Sequence, residues 1–427
     1  MSTEDKAQLL PKLRFPEFRG TEGWTHGQLE SALLSISNGI ALEQSSEATG
    51  YKVTRIETIS AGTIDLEKIG LVKTAQDISA YKLQVGDILL SNINSVAHIG
   101  KSVFIDRDYD LYHGMNLLRL LVNRTKNEPK FIFYVINTNG IRASLRERAN
   151  KAVNQASINQ TELGKTKVAL PAITEQKKIA NCLSSLDKLI AAQARKVEAL
   201  KTHKKGLMQQ LFPCEGETQP RLRFPAFQNA EDWEMKSLGS FSKVGDIDHK
   251  MPSSTAHGIP YIMTGDFFGM NDIDYENAKK ISIEDYEQLS KKIKPELGDI
   301  IIARYASVGA VRYIQTTLKF LASYSCAVIK CNKLEDSRYI YYALQSDVIQ
   351  SQIRLEINTS SQKNIGIDSI KKLNAFLPTL SEQLKISACL AGLDTQITAA
   401  TQELDTLKTH KKGLMQQLFP SAEAVEA

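Results

Sequence analysis

The chain has 427 residues, and 42% of them are hydrophobic, which is typical of a soluble globular protein rather than a disordered one. Its 53 lysines and arginines are nearly offset by 48 aspartates and glutamates, so the net charge of +5 permits nucleic-acid binding without arguing strongly for it. The first residues are too charged for a signal peptide, and no apolar run approaches the ~18 to 20 residues that a membrane span needs. A soluble protein is therefore expected.

Cysteine usage indicates a reducing compartment. The five cysteines form neither a CxxC pair nor a Cys/His cluster with metal-ligand spacing, which argues against zinc. An odd number of cysteines without a secretory leader predicts free thiols in the cytoplasm.

The first body of the chain, residues 24–169, follows the leader LRFPEFRGTEGW that starts at Leu13. It mixes short β-type runs, such as VGDILL from Val85 and KSVFID from Lys101, with a helical stretch from Lys130 to Asn139. This mixture predicts an α+β domain. Neither this body nor the second contains a Gly-rich phosphate loop, an HExxH motif or a nucleophile elbow.

The first tail, residues 170–213, predicts one long helix. Thr174 is placed as its N-cap, Pro213 stops it, and close to 40 residues would span roughly 55 to 60 Å. Apolar residues recur at alternating spacings of four and three, which is the heptad pattern of a coiled coil. The predicted seam consists of Ile179, Leu183, Leu186, Ile190, Gln193, Val197, Leu200, Lys204, Leu207 and Leu211.

The second half of the chain repeats the first. The tail segment LKTHKKGLMQQLFP at Leu200–Pro213 recurs letter for letter at Leu407–Pro420, 207 residues later. The leader recurs as LRFPAFQNAEDW from Leu222, and the strand VGDILL as LGDIII from Leu297. A twofold repeat of domain size predicts a pseudo-dimer on one polypeptide, with divergence concentrated in the bodies.

The second half therefore predicts a second body at residues 214–376, with strands such as GDIIIAR and SCAVIK and a helix from Arg338 to Gln352, followed by a second long helix at 377–420. Ser381 is its expected N-cap and Pro420 its stop. The second seam consists of Ile386, Leu390, Leu393, Ile397, Ala400, Leu404, Leu407, Lys411, Leu414 and Leu418.

The two tail helices are expected to pack antiparallel. The second body begins just after the first helix ends and finishes where the second helix starts, so an antiparallel pair needs no long crossover. This arrangement would place one body at each end of a rigid spacer. Gly206 and Gly413 lie inside the helical pattern, and they mark either close helix approach or the point where each helix frays or is capped.

Polar loops after the GDI strand and before the tail helix are the candidate base-reading segments. Asn and Gln can bond adenine bidentately, Arg and Lys can bond guanine, and Ser serves either base or phosphate. The alternative for each single residue is that it builds a turn or a cap. The candidates are Ser91, Asn92, Asn94, Lys101, Asn154, Gln155, Ser157 and Asn159 in the first body, and Arg304, Tyr305, Ser307, Ser361, Gln362, Lys363 and Asn364 in the second.

The KTHKKG runs at Lys201 and Lys408, which include His203 and His410, have two interpretations. A solvated helix face is the favoured one, and contact with phosphate or with a partner is the alternative.

The combination of motifs resembles the specificity subunit of type I restriction-modification systems. The resemblance rests on the LPAITEQKKI and LPTLSEQLKI helix starts, the GDILLSN and GDIIIAR strands, the LRFPEF and LRFPAF leaders and the segments around Gln155 and Gln362. It covers nearly the whole chain.

The resemblance implies two tandem target-recognition domains separated by an antiparallel two-helix coiled coil, each domain reading one half of a bipartite duplex DNA target. It also implies two modification subunits that supply S-adenosylmethionine-dependent adenine methylation, and restriction subunits that use ATP and Mg. An NPPY-type methylase motif and a helicase GxxxxGKS/T loop are absent from the sequence, which agrees with a non-catalytic role.

Two other functions remain open on the residues alone. One is an enzyme with an unrecognised site, which would cleave or methylate DNA without added subunits. The other is a scaffold whose end domains bind proteins across a coiled-coil spacer. DNA binding in the presence of a modification subunit, at stated salt, separates these functions.

Overall fold

The computed structural model describes residues 9–43, 49–95, 98–152, 155–359, 364–421 and 425. The chain divides into two compact units. Unit 1 is formed from residues 1–193 and 403–427, and unit 2 from residues 194–402. Each unit thus contains one body and a part of each tail helix, whereas the sequence boundaries assign each helix to a segment of its own.

Unit 1 contains eleven described strands. They are β1 (Thr25–Gln28), β2 (Leu33–Asn38), β3 (Tyr51–Val53), β4 (Gly70–Val72), β5 (Ile88–Ser91), β6 (Ile93–Asn94), β7 (Ser102–Phe104), β8 (Leu117–Val122), β9 (Asn150–Ala152), β10 (Gln155–Ser157) and β11 (Lys167–Leu170). The helices of its body are α1 (Ile56–Ile59), α2 (Pro129–Ile136), α3 (Asn139–Arg148) and α4 (Gln160–Gly164).

The body of unit 1 is built on a four-stranded antiparallel sheet in the order β2-β8-β5-β7. Strand β5 is buried at every position, because the sheet is covered on both faces. One face packs with Phe131 and Ile132 of α2 in the main core, and the other contributes Leu89 to a smaller cluster with Ile59. Strands β1 and β11, which open and close the body, pair with each other in register Thr25↔Leu170.

The body of unit 2 repeats the four-stranded sheet and the closing strand pair of unit 1, and its other strands and helices differ. Its strands are β12 (Glu234–Ser237), β13 (Ser242–Gly245), β14 (Ile259–Ile262), β15 (Phe267–Phe268), β16 (Asp272–Ile273), β17 (Lys280–Ile281), β18 (Ile300–Ala303), β19 (Val311–Tyr313), β20 (Leu321–Ala322), β21 (Cys326–Cys331) and β22 (Asn374–Leu377). The long helices are α5 (Ile173–Leu211) and α11 (Leu380–Leu418), and the helices of the second body are α6 (Leu238–Phe241), α7 (Ile283–Leu289), α8 (Ser337–Ala343), α9 (Asp347–Thr359) and α10 (Ile367–Lys372).

The repeat is visible in the topology. The sheet order β13-β21-β18-β19 in unit 2 corresponds to β2-β8-β5-β7 in unit 1, and the pair β12-β22 corresponds to β1-β11. Unit 2 adds the small sheets β17-β14-β20 and β15-β16, whose strands lie between β13 and β18 except for β20, which follows β19. These strands cover Ile301 and Val328 with a cluster that includes Tyr261 and Phe320. The predicted α+β class is therefore confirmed for both bodies.

The predicted strands and helices are found, with two differences in extent. The helix expected from Lys130 to Asn139 is two helices, α2 and α3, and the helix expected from Arg338 to Gln352 is likewise α8 followed by α9. Three consecutive polar residues mark each junction, Asn137–Asn139 or Gln345–Asp347. Their side chains make hydrogen bonds where the backbone of a continuous helix would make them. Asn137 Nδ2 donates to Phe133 O, and Gln345 Nε2 donates to Tyr341 O.

The two long helices have 39 residues each, and they end two residues before Pro213 and Pro420. The prediction that Thr174 and Ser381 are N-caps is wrong. Each residue lies inside its helix, because the helices begin at Ile173 and Leu380. Glu175 N and Gln176 N both donate to the Ala172 carbonyl, so the first helix has already started one residue before Thr174.

The structure describes every residue of the two predicted seams. Every seam residue is buried or half-buried, including the polar Gln193 and Lys204. Within unit 1, Gln193 Nε2 donates to Glu403 Oε2 at 2.9 Å. Six residues earlier in α5, Asp187 pairs with Lys411, which lies eight residues later in α11. The two helices therefore run antiparallel in this unit.

Neither prediction for the tail glycines holds. Helix α5 continues through Gly206 and α11 through Gly413 for another five residues, so neither position is a cap. A Cβ added at either glycine would meet nothing within 4 Å, so close approach of a neighbouring helix does not explain why glycine stands there.

Candidate nucleic-acid interface

The structure brings together the two candidate segments of the first body. Strand β6 pairs with β10 in register Ile93↔Ser157, and β10 pairs in turn with β9. At the start of this contact, Ile158 N donates to the Asn92 carbonyl at 2.9 Å, and Asn92 Nδ2 donates back to the Ile158 carbonyl at 3.4 Å. Segments that lie about 60 residues apart in sequence thus form one surface.

The two candidate segments of the second body meet in the same way. Ile365 N donates to the Arg304 carbonyl at 3.1 Å, and Arg304 Nε donates to the Ile365 carbonyl at 3.1 Å. Arg304 therefore occupies the position that Asn92 has in unit 1. A common backbone arrangement with different side chains is what two readers of different sequences require.

The candidate residues of the first body differ in accessibility. Ser91 and Asn92 are buried, Lys101 and Ser157 are half-buried, and Asn159 is exposed. Lys101 Nζ donates to the Ser60 carbonyl at 3.1 Å, and Asn159 Oδ1 accepts from Glu162 N as the N-cap of α4.

In the second body Arg304 is buried, Tyr305 and Asn364 are half-buried, and Ser307 is exposed. Six further candidates cannot be placed in full. Asn154, Ser361, Gln362 and Lys363 lie outside the described residues, while Asn94 and Gln155 are described only as strand positions. The assignment of single DNA contacts stays a prediction.

Arg304 has a structural task. Its guanidinium forms an ion pair with Asp246 and donates to the Tyr324 carbonyl at 3.1 Å. Its side chain is 8% exposed, and Lys292 adds a longer contact to Asp246. The arginine therefore fixes β13, β18 and the loop before α10 to one another.

The loop that follows Arg304 is strained. Ala306 has φ +56°, a left-handed conformation that costs a residue with a Cβ about 1 to 2 kcal/mol. The loop is closed by Gly309 N, which donates to the Ala303 carbonyl at 3.0 Å, and by Gln350 Nε2, which donates to the Gly309 carbonyl at 3.1 Å. These two hydrogen bonds fix the conformation of the loop, whose exposed tip is formed by Ala306 and Ser307.

The leader and the start of each tail helix are joined by an ion pair that the sequence analysis missed. Arg14 Nε and Nη2 donate to the two carboxylate oxygens of Glu175 at 2.8 and 2.7 Å. In unit 2, Arg223 contacts Glu382 in the same way at 2.9 and 2.8 Å. The glutamates are almost fully buried, and these contacts raise the pKa of each arginine. Both residues recur in the repeat, so the signal was present in the sequence.

The glutamine that follows each of these glutamates organises the loop before α2 in unit 1 and the loop before α8 in unit 2. Gln176 Oε1 accepts from Glu128 N at 3.0 Å, and its Nε2 donates to the Pro171 carbonyl at 2.9 Å. Gln383 makes the equivalent contacts with Asp336 N and Pro378 O, both at 2.9 Å. The repeated Glu-Gln pair is therefore part of the scaffold.

Each unit also contains a Tyr–Asp–Lys cluster, which is more deeply buried in unit 2 than in unit 1. In unit 2, Tyr342 Oη donates to Asp394 at 2.7 Å, and Lys204 Nζ lies 2.6 Å from the same carboxylate and 5.0 Å from the tyrosine ring centroid. Burial is the main cause that raises the pKa of Tyr342, so its hydroxyl stays protonated.

Unit 1 has the same cluster at the equivalent positions. Tyr134 Oη donates to Asp187 at 2.7 Å, and Lys411 Nζ lies 2.6 Å from that carboxylate. The lysine comes from the opposite tail helix in both clusters. Lys204 and Lys411 therefore pair with the opposite helix, whereas His203 and His410 are exposed, which both interpretations of the KTHKKG runs allow.

A cleft lies beside the cluster in each unit, between the body and a tail helix, and we call it the tail cleft. In unit 2 it is lined by eight tail positions between Lys201 and Cys214, and in unit 1 by the eight equivalent positions between Lys408 and Ser421. Seven of the eight residues are identical, and the exposed lysines give both clefts a basic rim.

The described part of the chain offers little for metal or membrane chemistry. No group of three His, Cys, Asp or Glu side chains that could hold a metal ion occurs among the described residues. None of the helices described is both long enough and apolar enough to cross a membrane. All five cysteines are free, and burial raises the pKa of Cys326 and Cys331 to about 12.

A family model described as the type I restriction modification DNA specificity domain matches the chain twice, at residues 23–202 and 230–409. A curated relative from Methanocaldococcus jannaschii, named putative type I restriction enzyme MjaX specificity subunit, is 32% identical over 416 residues and 93% of both chains.

Two solved structures share the fold. The S subunit of a type I restriction-modification system from M. genitalium superposes with a TM-score of 0.63 at 17% identity, over 97% of this chain and 100% of that one. A chain from a study of complex assembly and conformational transition of the type I system gives a TM-score of 0.52 at 16% identity, over 94% and 98%.

Proposed function

The chain belongs to the family of type I restriction-modification DNA specificity subunits, and on that premise we propose that each of its two bodies reads one half of a bipartite duplex target. It is the DNA sequence-recognition subunit of a multi-subunit complex. Catalysis belongs to the partner subunits of such a complex.

One observation carries the proposal. The contacts that join leader, body and tail helix are the same in both units, namely Arg14–Glu175 with Arg223–Glu382 and the Asp187–Lys411 pair with its counterpart Asp394–Lys204. The groups at the meeting point of the candidate loops differ, with Asn92 in one unit and Arg304 in the other. A constant frame with variable reading surfaces fits a protein that recognises two unlike half-sites.

The chemistry of reading follows from the residue types. Lysines and arginines on both bodies contact phosphates and position the duplex, while the exposed parts of the paired loops reach base edges in the groove. Because both half-sites are bound by one polypeptide, engagement of the first raises the effective concentration of the second. Targets with an altered spacer are then rejected on geometric grounds.

We propose that two modification subunits dock at equivalent positions, one at each tail cleft. The support is that seven of the eight tail residues that line the two clefts are identical, because two copies of one partner need two similar docking surfaces. The exposed lysines of the rim, Lys205 and Lys412, favour an acidic segment of the partner. Restriction subunits join the same complex.

Cofactors are assigned to those partners. S-adenosylmethionine serves adenine methylation by the modification subunits, and ATP with Mg serves translocation and cleavage by the restriction subunits. We also place the complex in the cytoplasm, where it meets DNA.

The test is a selection of bound DNA from a random library, performed with the co-purified complex of this chain and its modification subunits at a stated salt concentration. The proposal predicts two short motifs separated by a constant number of unspecified base pairs. Recovery of one continuous motif, or of no motif, contradicts it. Cleavage or methylation by the isolated chain would contradict its non-catalytic role.

A further inference from the structure

We propose that His249, held by Tyr324 and flanked by Tyr305, contacts base edges in the half-site that unit 2 reads. This inference rests on the proposed function and names a specificity-determining residue within it. His249 lies in the loop after β13, outside the two segments that the sequence singled out as base-reading.

The three rings form one cluster at the meeting point of the candidate loops. The His249 imidazole stacks on Tyr324, with ring centroids 4.8 Å apart and an interplanar angle of 24°. Tyr305 also contacts Tyr324 in a T-shaped arrangement, with ring centroids 6.3 Å apart. Arg304 joins the cluster to the scaffold, because it donates to the Tyr324 carbonyl and lies over the Tyr305 ring.

The cluster is accessible in a way that a core aromatic group is not. His249 is exposed, and Tyr305 and Tyr324 are half-buried. An imidazole carries a donor and an acceptor when neutral, so a ring fixed in one plane can read the edge of a base pair. Stacking on Tyr324 reduces the rotamer freedom that binding would otherwise have to remove.

The electrostatic surroundings are compatible with DNA. On the same loop, Asp246 forms an ion pair with the Arg304 guanidinium and a longer contact with Lys292. Lys292 also lies 3.4 Å from Asp248. The exposed, left-handed Ala306 lies next to Tyr305 in sequence, so the strained loop tip and the aromatic cluster are adjacent parts of the same surface.

Unit 1 has a different set of groups at the corresponding positions. Asn92 and Ile93 follow β5 where Arg304 and Tyr305 follow β18, and Met115 precedes β8 where Tyr324 precedes β21. The aromatic cluster is therefore a property of unit 2. A substitution there should alter one half-site and leave the other unchanged.

The experiment compares His249→Ala with His257→Ala in the library selection, using the complex with modification subunits. His257 is an exposed histidine of the same unit and serves as the matched control. We expect His249→Ala to relax base preference at one or two adjacent positions of one half-site by roughly 5- to 150-fold, the range of one good base contact. The other half-site and the spacer should be unchanged, and His257→Ala should select the wild-type motif.

Two tyrosine variants separate positioning from a merely structural role. Tyr324→Phe keeps the stacking ring and should retain the wild-type motif, whereas Tyr324→Leu should relax the same positions as His249→Ala. An intact bipartite motif with unchanged preference in His249→Ala overturns the inference and leaves the proposed function standing. A uniform loss of affinity without a change in preference also overturns it, because that is the signature of a phosphate contact. Failure of the wild-type complex to select any bipartite motif contradicts the proposed function itself.

Discussion

The ammonium group of Lys204 lies 2.6 Å from the carboxylate of Asp394, and the lysine comes from α5 while the aspartate comes from α11. The side chains are 9% and 24% exposed. The equivalent pair in unit 1, Lys411 with Asp187, has the same distance but is more accessible, at 29% and 32%. One interaction therefore occurs twice in different degrees of burial.

Asp394→Ala should destabilise the protein more than Asp187→Ala. Both changes remove one tyrosine hydrogen bond of 2.7 Å, but only the first leaves a largely buried ammonium group without its partner. We expect a loss of about 3 kcal/mol in the free energy of unfolding for Asp394→Ala and about 1 kcal/mol for Asp187→Ala. Urea unfolding followed by helical circular dichroism measures both. Equal losses would show that burial does not distinguish the pairs.

Arg223→Lys should weaken the attachment of the second leader. The guanidinium contacts both oxygens of Glu382 and also donates to the carbonyls of Ala230 and Glu231, a geometry that an ammonium group cannot reproduce. We expect a loss of about 2 kcal/mol and faster proteolytic cleavage in the leader. Arg221→Lys is the control, because its pair with Glu217 is exposed and should contribute little to stability. A leader that remains resistant to protease in Arg223→Lys contradicts this role.

Ala306→Gly should stabilise the protein. Glycine removes the cost of the left-handed conformation, and part of that gain is offset by the greater freedom of glycine in the unfolded chain. The expected net effect is a gain of about 0.5 to 1 kcal/mol in thermal or urea unfolding. Gly309→Ala should act in the opposite direction, because Gly309 has φ +85° and a Cβ there would meet Gln350 and Ile353 at 3.1 and 3.2 Å. Destabilisation by Ala306→Gly would mean that the loop conformation carries no strain.

Stability should fall in mild acid because of His113. Burial lowers the pKa of His113 to about 4, and its Nε2 lies 3.0 Å from the Leu117 carbonyl. The unfolded chain, with an ordinary histidine pKa of about 6.5, binds a proton between pH 6.5 and 4 that the folded protein does not bind. The folded state therefore loses stability as pH falls through this window, by roughly 2 kcal/mol at pH 5. Between pH 8 and pH 5, the free energy of unfolding should therefore fall less in His113→Gln than in wild type, by about the amount that His113 contributes. An equal fall in both proteins would contradict the assignment.

Much of the fold could be predicted from the sequence, because the sequence contains an internal repeat of domain size. The residues of the predicted heptad seams, from Ile179 to Leu211 and from Ile386 to Leu418, are all buried or half-buried, since their spacing repeats with the period of a paired helix. The pairing of Arg14 with Glu175 was also encoded, as both residues recur in the second half, but recurrence alone does not say which residues meet.

From the sequence, the surface that reads DNA could be predicted only as separate segments of the chain. The residues around Asn92 and Ile158 were identified by composition, and the structure adds that they form one sheet. Arg304 is a plausible guanine reader by type, yet it is buried against Asp246, a contact between positions 58 residues apart that no local pattern reveals. His249 and Tyr324 are not repeated in unit 1, so only their stacking in space distinguishes them.

The account rests on two unlike readers carried by one repeated frame, and exchanging a reader tests it most directly. Residues 25–170 would replace residues 234–377, with the junctions at the equivalent strand pairs β1-β11 and β12-β22. The library selection with modification subunits is then repeated on a chain that carries the first reader twice. We predict a target made of two copies of the half-site that unit 1 reads, with the half-site of unit 2 gone. Recovery of the original pair of half-sites from this chain would contradict the account.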